Sequence, residues 1–303
     1  MYDIVIIGGG PAGLTAAIYA IRAGLRLLVL EEGQLGGQVA VSAEVENYPA
    51  VPHTMGWKLA FDMAQQVQGM DVPIRYEQVL GLEDHGAEKT VVTSAGSYSC
   101  RAVVIANGAR RRKLGCPGED TFLGRGVSYC ATCDGAFFRG KDVAVMGGGN
   151  TALEDAIYLS GICSSVTLLF RRQAPTAQRR LVETAQSRAN LRMLPLTQVA
   201  AIEGEEMVRS LTLCGPDGEE KGSLPVSGIF VAIGLAPDNA RFAPLVALDE
   251  YGYIVSDEAC KTNVPGIFCA GDTRTKLLRQ IVTAVSDGAV AATQAERYIA
   301  SLG

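Results

Sequence analysis

The chain opens on a short apolar run, Ile4 to Ile7, that stops at Gly8-Gly9-Gly10-Pro11-Ala12-Gly13 and gives way to a helix-like segment, Leu14 to Ala23. A second apolar run, Leu27 to Leu30, follows. Short apolar runs bounded by glycine suit strands buried on both faces, so the order strand, turn, helix, strand predicts a parallel βαβ unit. The pattern then recurs at a constant offset: Asp3 falls on Asp142, Gly8-Gly9-Gly10 on Gly147-Gly148-Gly149, and Gly13 on Ala152. The second copy continues with Leu153 to Leu159 as its helix and Val166 to Leu169 as its return strand. Two copies of one supersecondary unit imply two similar domains.

Glycine has a separate reason at each place in G-x-G-x-x-G. Gly8 and Gly147 permit the tight turn, Gly10 and Gly149 let backbone approach a pyrophosphate, and Gly13, or Ala152, allows close packing of helix on strand. Backbone N–H groups at the helix starts, around Pro11-Ala12 and Asn150-Thr151, then face the phosphates. The copies diverge after the second strand. The first ends on Glu31-Glu32, a carboxylate suited to ribose hydroxyls and repelled by a 2′-phosphate. The second reads Phe170-Arg171-Arg172, cationic forks suited to a phosphate. Two different dinucleotides are expected.

A chain of 303 residues suggests roughly two units of about 150. After Asn107-Gly108-Ala109 comes the basic run Arg110-Arg111-Arg112-Lys113 and then Gly115, Pro117 and Gly118, a linker composition. The apolar run Gly228 to Gly234 closes the second unit, and the remaining tail, roughly 60 residues, is too short for a third core. It is expected to return to the first. The expected fold is therefore α/β: two Rossmann-like, three-layer nucleotide-binding domains, the second (114–241) inserted in the first (1–113 and 242–303).

Composition narrows the function. With 48% hydrophobic and 19% charged residues the chain is globular, and no apolar run approaches the ~18 residues that span a bilayer. A formal charge of -5, from 27 Lys+Arg against 32 Asp+Glu, removes the usual drive toward nucleic acid. No signal peptide is evident at the amino terminus, so a cytoplasmic location is expected. Eight cysteines in a chain this long do not make a disulfide scaffold, and most sit in apolar settings that suit inert buried thiols.

Cys130 and Cys133 are the exception, in Tyr129-Cys130-Ala131-Thr132-Cys133-Asp134-Gly135. A C-x-x-C pair can close a small disulfide ring and carry two electrons. Zinc needs a second pair or histidines, yet the chain has only His53 and His85 and no other cysteines at ligand spacing, so no metal site is expected. With these residues in view, the chain resembles the low-molecular-weight bacterial thioredoxin reductases over essentially its whole length. Matching segments are Gly8 to Gly13, Gly36-Gly37-Gln38, Glu44 to Pro49, Cys130 to Gly135, Gly147 to Glu154, Gly266 to Asp272, and Arg279-Gln280.

That resemblance implies FAD in the first domain, with Glu31 on the adenosine ribose, Gln38 and Asn47 near the flavin, Gly271-Asp272 at the ribityl chain, and Arg279 and Gln280 beside the ring. A helix from about Arg279 to Ser301 could aim its N-terminal dipole at reduced flavin. It further implies an NADPH-to-FAD-to-disulfide relay in which Cys133 faces the flavin, Cys130 attacks a thioredoxin or thioredoxin-like partner, and Asp134 moves protons. A homodimer and rotation of the domains about linkers near 110–118 and 235–243 follow from the same resemblance.

Two departures from the pattern stand out. The 2′-phosphate signature H-R-R-x-x-x-R reads Phe170-Arg171-Arg172-Gln173-Ala174-Pro175-Thr176, without its first His and last Arg. One lost Arg–phosphate contact costs about 1.5–3 kcal/mol, or roughly 10- to 150-fold in preference for NADPH, which keeps NADH open as donor. Arg179 and Arg180 lie close enough in sequence to compensate. Asn107 stands where the family has Thr, and the fold is expected to tolerate it. Two alternatives are a flavoprotein of the same architecture fed by NADH or ferredoxin, and a nucleotide-binding redox sensor without turnover. The second has no need of the cysteine pair.

Overall fold

The computed structural model describes all residues but Ala43, and the side chains of Glu44 and Cys133 also lie outside the described residues. The chain divides into two compact units, Met1–Arg110 with Ala236–Gly303, and Arg111–Leu235. The crossings thus fall at 110/111 and 235/236, against 113/114 and 241/242 from the sequence. Residues from 236 on belong with the first unit for a concrete reason. Asn239 donates to the carbonyls of Gly252 and Thr273, each at 3.0 Å. Asn107 donates to Asp238 O at 3.1 Å and accepts from the Thr273 hydroxyl at 2.8 Å. The departure at Asn107 is thereby absorbed, its amide bridging two segments of one unit.

In the first unit the parallel strands Ile74–Tyr76, Leu27–Glu31, Tyr2–Ile7 and Gly96–Ile105 lie in that order. The strand Ile267–Cys269 pairs in parallel with the far end of Gly96–Ile105. The near end of that strand carries the antiparallel pair Glu88–Thr93 and Val79–His85. Alternation along the first strand builds two cores. Ile4 and Ile6 pack with the helices Pro11–Arg22 and Ile281–Ser301, while Val5 and Ile7 face Phe242, Val246 and Ile254. Both faces are covered, which is why the run is continuously apolar rather than alternating with polar residues.

The second unit repeats the plan. Its parallel sheet runs Val127–Ser128, Gly228–Val231, Asp142–Met146, Ser165–Phe170, Leu191–Pro195. The helices Asn150–Ser160 and Arg179–Gln186 cover one face. An antiparallel sheet of Gln198–Gly204, Val208–Cys214 and Glu220–Pro225 covers the other. This is the α/β, doubly Rossmann-like architecture. No helix among the described residues is long and apolar enough to cross a membrane.

Candidate functional site

Each glycine turn sits where a central strand ends and its helix begins. Gly8 holds φ +107° and Gly147 φ +150°, conformations that a side chain resists. A Cβ on Gly13 would run into the Gly8 carbonyl oxygen, and one on Gly147 would meet Ala232 O and, at 2.8 Å, the Ala152 Cβ. These glycines close the turn. Gly10 and Gly149 differ from them: an added Cβ would find its nearest neighbour at 3.9 Å on Gly10 and none within 4 Å on Gly149, among the described residues. Both are helix N-caps. A glycine cap has no side chain to satisfy the first-turn amides, so open space and free N–H groups coincide, as a pyrophosphate requires.

In the first unit the Glu31 carboxylate accepts from Gly9 N at 2.6 Å and Gly33 N at 2.8 Å, which holds it at the mouth of the turn. Gly36 N donates to Gly9 O at 2.8 Å, bringing the Gly36-Gly37 bend alongside. Gln38 follows in the short turn Gly37–Val39, exposed. Asn47 donates through its amide to Gln280 Oε1 at 3.0 Å, so two residues far apart in sequence meet.

Gly271 takes φ +80°, and its Cβ position lies 2.9 Å from the Ala12 Cβ, so the Gly271–Thr273 turn presses against the start of the first helix. Asp272 rides on that turn. Its Oδ1 is buried with no hydrogen-bond partner among the described residues. Burial pushes the Asp272 carboxyl up, with Lys276 and Arg279 opposing. A buried acceptor left without a donor is costly, and a polyhydroxyl ligand chain is one way to satisfy it. Arg279 Nε donates to Asp272 O at 3.4 Å, and its guanidinium stacks 3.9 Å over the Tyr253 ring. The C-terminal helix starts at Ile281, not 279, because Gln280 is its cap and donates its N–H to Thr283 Oγ1 at 3.1 Å.

In the second unit Phe170 occupies the place of Glu31. It is 4% exposed, and its Cβ lies 3.2 Å from a Cβ built on Gly148. An apolar ring thus stands where the first unit has a carboxylate. Arg171 and Arg172 lie exposed just beyond it. The loop that follows folds back on the glycine turn: Thr176 N donates to Gly148 O at 2.7 Å and Gln178 N to Asn150 Oδ1 at 2.8 Å. Arg179 pairs with Glu183 at 2.7 Å.

The cysteine segment lies between the strand Val127–Ser128 and the one-turn helix Ala131–Asp134, which Cys130 caps. Cys130 is disulfide-bonded. Its Sγ lies 3.4 Å from Thr132 Oγ1. Six other cysteines, 100, 116, 163, 214, 260 and 269, are free. Cys133 is part of the site as read from the sequence, but its side chain lies outside the described residues. Among the described residues no cluster of His, Cys, Asp or Glu could hold a metal ion.

Ser128, which sequence reasoning missed, organises this segment. It is 3% exposed, accepts Cys130 N–H at 3.0 Å and donates to Asp134 Oδ2 at 2.6 Å. The Ser-x-Cys spacing that allows such a local bond was the available signal. Also missed was Asp155, whose carboxyl burial pushes up to about 6, Arg111 opposing. The basic run is accordingly engaged rather than free: Arg110 pairs with Glu32 at 2.9 Å and Lys113 with Asp120 at 2.6 Å. Arg111 has the carboxylates of Asp155 and Asp134 nearby.

Comparison with known proteins agrees with this geometry. Residues 2–288 match the family described as pyridine nucleotide-disulphide oxidoreductase. A thioredoxin reductase of Listeria innocua serovar 6a is 42% identical over 303 residues, covering 100% of this chain and 95% of the relative. The solved thioredoxin reductase of Lactococcus lactis superposes with a TM-score of 0.80 at 41% identity, covering 99% of this chain and 100% of the other. That of Streptococcus pyogenes gives 0.80 at 40%, covering 99% of each. Similarity that runs from one end to the other, across both glycine turns and the cysteine segment, leaves one conclusion: the chain belongs to the pyridine nucleotide-disulphide oxidoreductase family.

Proposed function

We propose that this chain is a thioredoxin-disulfide reductase that holds FAD in its first unit, binds NADPH in its second, and reduces a thioredoxin or thioredoxin-like protein through a Cys130–Cys133 couple. One observation carries the reading above the rest: Cys130 is disulfide-bonded at the cap of a short helix, with Asp134 fixed beside it by Ser128. When bound, FAD would supply the electron pair that opens the disulfide, replenished from the reduced nicotinamide.

The chain's own residues would then do the following. Glu31 would accept hydrogen bonds from ribose hydroxyls, and the first-turn amides of Pro11–Arg22 would face the pyrophosphate. The orphan Asp272 Oδ1 would accept from the ribityl chain, while Gln38, Asn47, Arg279 and Gln280 would line the ring end. In the second unit Gly149 and the amides of Asn150–Ser160 would hold the nicotinamide nucleotide's phosphates, with Arg171 and Arg172 on the 2′-phosphate. Once the disulfide opens, Asp134 would take up and return the thiol proton, its carboxylate held in place by the 2.6 Å bond from Ser128.

Against a strict NADPH preference stands the loop 173–179, which brings Thr176 rather than an arginine to Gly148. Against a strict NADH preference stands Phe170, which offers no acceptor to a ribose hydroxyl. We infer NADPH as the better donor, with NADH also used.

Purified protein should show bound flavin in its visible spectrum and oxidise NADPH when thioredoxin is supplied. Cys133→Ser should keep the flavin and lose thioredoxin reduction. A colourless protein that takes up no FAD, or undiminished turnover in Cys133→Ser, contradicts the proposal.

A further inference from the structure

Four side chains assigned to the flavin come from the carboxyl-terminal part of the first unit or touch it: Asp272, Arg279, Gln280, and Asn47 through Gln280. The segment 271–280 that presents them has little regular structure beyond the turn Gly271–Thr273. Its polar groups instead converge on one buried carboxylate. Asp287, on the helix Ile281–Ser301, accepts at Oδ2 from Gly271 N at 2.9 Å, Arg274 Nε at 2.9 Å and Lys276 Nζ at 2.7 Å, and at Oδ1 from Arg274 Nη2 at 2.9 Å. The side chains of Arg274, Lys276 and Asp287 are 5%, 7% and 9% exposed. Arg274 O in turn accepts from Arg279 Nη2 at 3.2 Å. The carboxylate thus fixes the first residue of the segment, two in its middle and, through Arg274, the arginine near its end.

Two features argue for more than stability. A buried ion cluster is a poor way to gain stability, since apolar residues of similar volume usually do as well or better. Here the ions also fail to balance: one carboxylate faces two cations, which leaves a surplus positive charge beside the buried Asp272 with its unpartnered Oδ1. A positive charge placed so favours the ionised, accepting form of that carboxyl. The electrostatics are consistent with this: burial pushes Asp272 up and Lys276 is the largest opposing influence, followed by Arg279, while Asp287 acts with burial.

We propose that Asp287 is a positioning residue for the flavin site, which through Gly271, Arg274 and Lys276 holds the segment 271–280 so that Asp272 and Arg279 meet FAD. The inference rests on the flavin reading above.

The test uses the full-length holoprotein and two variants. Asp287→Asn keeps an acceptor for Gly271 but strands two buried cations. The triple Arg274→Met/Lys276→Met/Asp287→Asn removes all three charges together and keeps that acceptor. Circular dichroism and thermal melting report folding. FAD dissociation, followed by the gain in flavin fluorescence on dilution, and the flavin absorption band and midpoint potential report the site.

The triple variant is expected to fold and melt within a few degrees of wild type, yet to release FAD at least about tenfold more readily, one charged hydrogen bond's worth, with a shifted band and potential. Asp287→Asn should be worse on both counts. Folded triple variant with FAD affinity within twofold of wild type and an unshifted flavin overturns the proposal. So does failure of both variants to fold, which would make the cluster a stability element. Wild-type protein that binds no FAD sinks the flavin reading instead, whatever the variants do.

Discussion

Gly147 and Gly149 stand two residues apart in one turn, and the structure assigns them opposite liabilities. Alanine at Gly147 would have to adopt φ +150° and would place its methyl 2.8 Å from the Ala152 Cβ, besides overlapping the Ala232 carbonyl oxygen. Carbon atoms in contact ordinarily sit about 3.5–4.0 Å apart, so strand and helix must separate by roughly 1 Å. Ala152 is fully buried and cannot yield locally. Overpacking and backbone strain each cost about 1–3 kcal/mol, so Gly147→Ala should lose on the order of 3 kcal/mol and melt roughly 10 °C lower.

Gly149→Ala starts from φ -88° and open space, so its stability should fall by no more than about 1 kcal/mol, the difference between a glycine and an alanine helix cap. On the proposed function, the new methyl would fill the volume through which a pyrophosphate would reach the amides. Displacing one charged hydrogen bond by that methyl should raise KM for NADPH roughly 10- to 150-fold. Thermal unfolding by near-ultraviolet circular dichroism, with steady-state kinetics on thioredoxin, separates the two effects. Gly149→Ala with KM within twofold of wild type, or Gly147→Ala melting like wild type, refutes the division of labour argued from these contacts.

Two further perturbations test other parts of the second unit. Thr176→Arg keeps the backbone bond to Gly148 and adds a cation near Arg171 and Arg172, so the ratio of kcat/KM for NADPH over NADH should rise roughly 10- to 150-fold; an unchanged ratio removes the phosphate assignment. Asp155 has a folded-state value of about 6, above an unfolded value near 3.9, so its contribution favours folding below about pH 4 and is lost as pH rises through 6. Asp155→Asn should flatten that part of the stability-versus-pH curve and gain up to about 3 kcal/mol at pH 7.5, less whatever Arg111 loses with its partner. Chemical denaturation between pH 4 and 8 measures it, and a slope unchanged in the variant contradicts the assignment.

Much of the plan could be read without coordinates because it depends on local chemistry. A turn that demands positive φ selects glycine at Gly8 and Gly147, strands buried on both faces read as continuous apolar runs, and a C-x-x-C pair is defined by spacing alone. The replacement of Glu31 by Phe170 was legible too, since both end a strand at the same offset from their glycine turn. The helix Ile281–Ser301 shows the boundary of such reading. Its buried stripe includes Ala284, Gly288, Ala291, Ala292 and Ala295, and the acid Asp287 falls on it. Helical periodicity marks Asp287 as an acid on the wrong face, yet gives no hint that Arg274 and Lys276 reach it from a preceding loop.

What the residues determined alone, then, is the backbone grammar: two nested nucleotide-binding folds, a dithiol candidate ahead of the second, and the different chemical character of their nucleotide sites. What the tertiary structure decided is which polar groups meet: Asn47 with Gln280, and the segment 271–280 around Asp287. The difference has a physical origin. Backbone conformation and burial follow from a residue and its near neighbours, whereas a long flexible side chain has many candidate partners of equal chemistry. Only the packing of distant segments, which excludes water and demands that each buried polar atom be satisfied, selects among them.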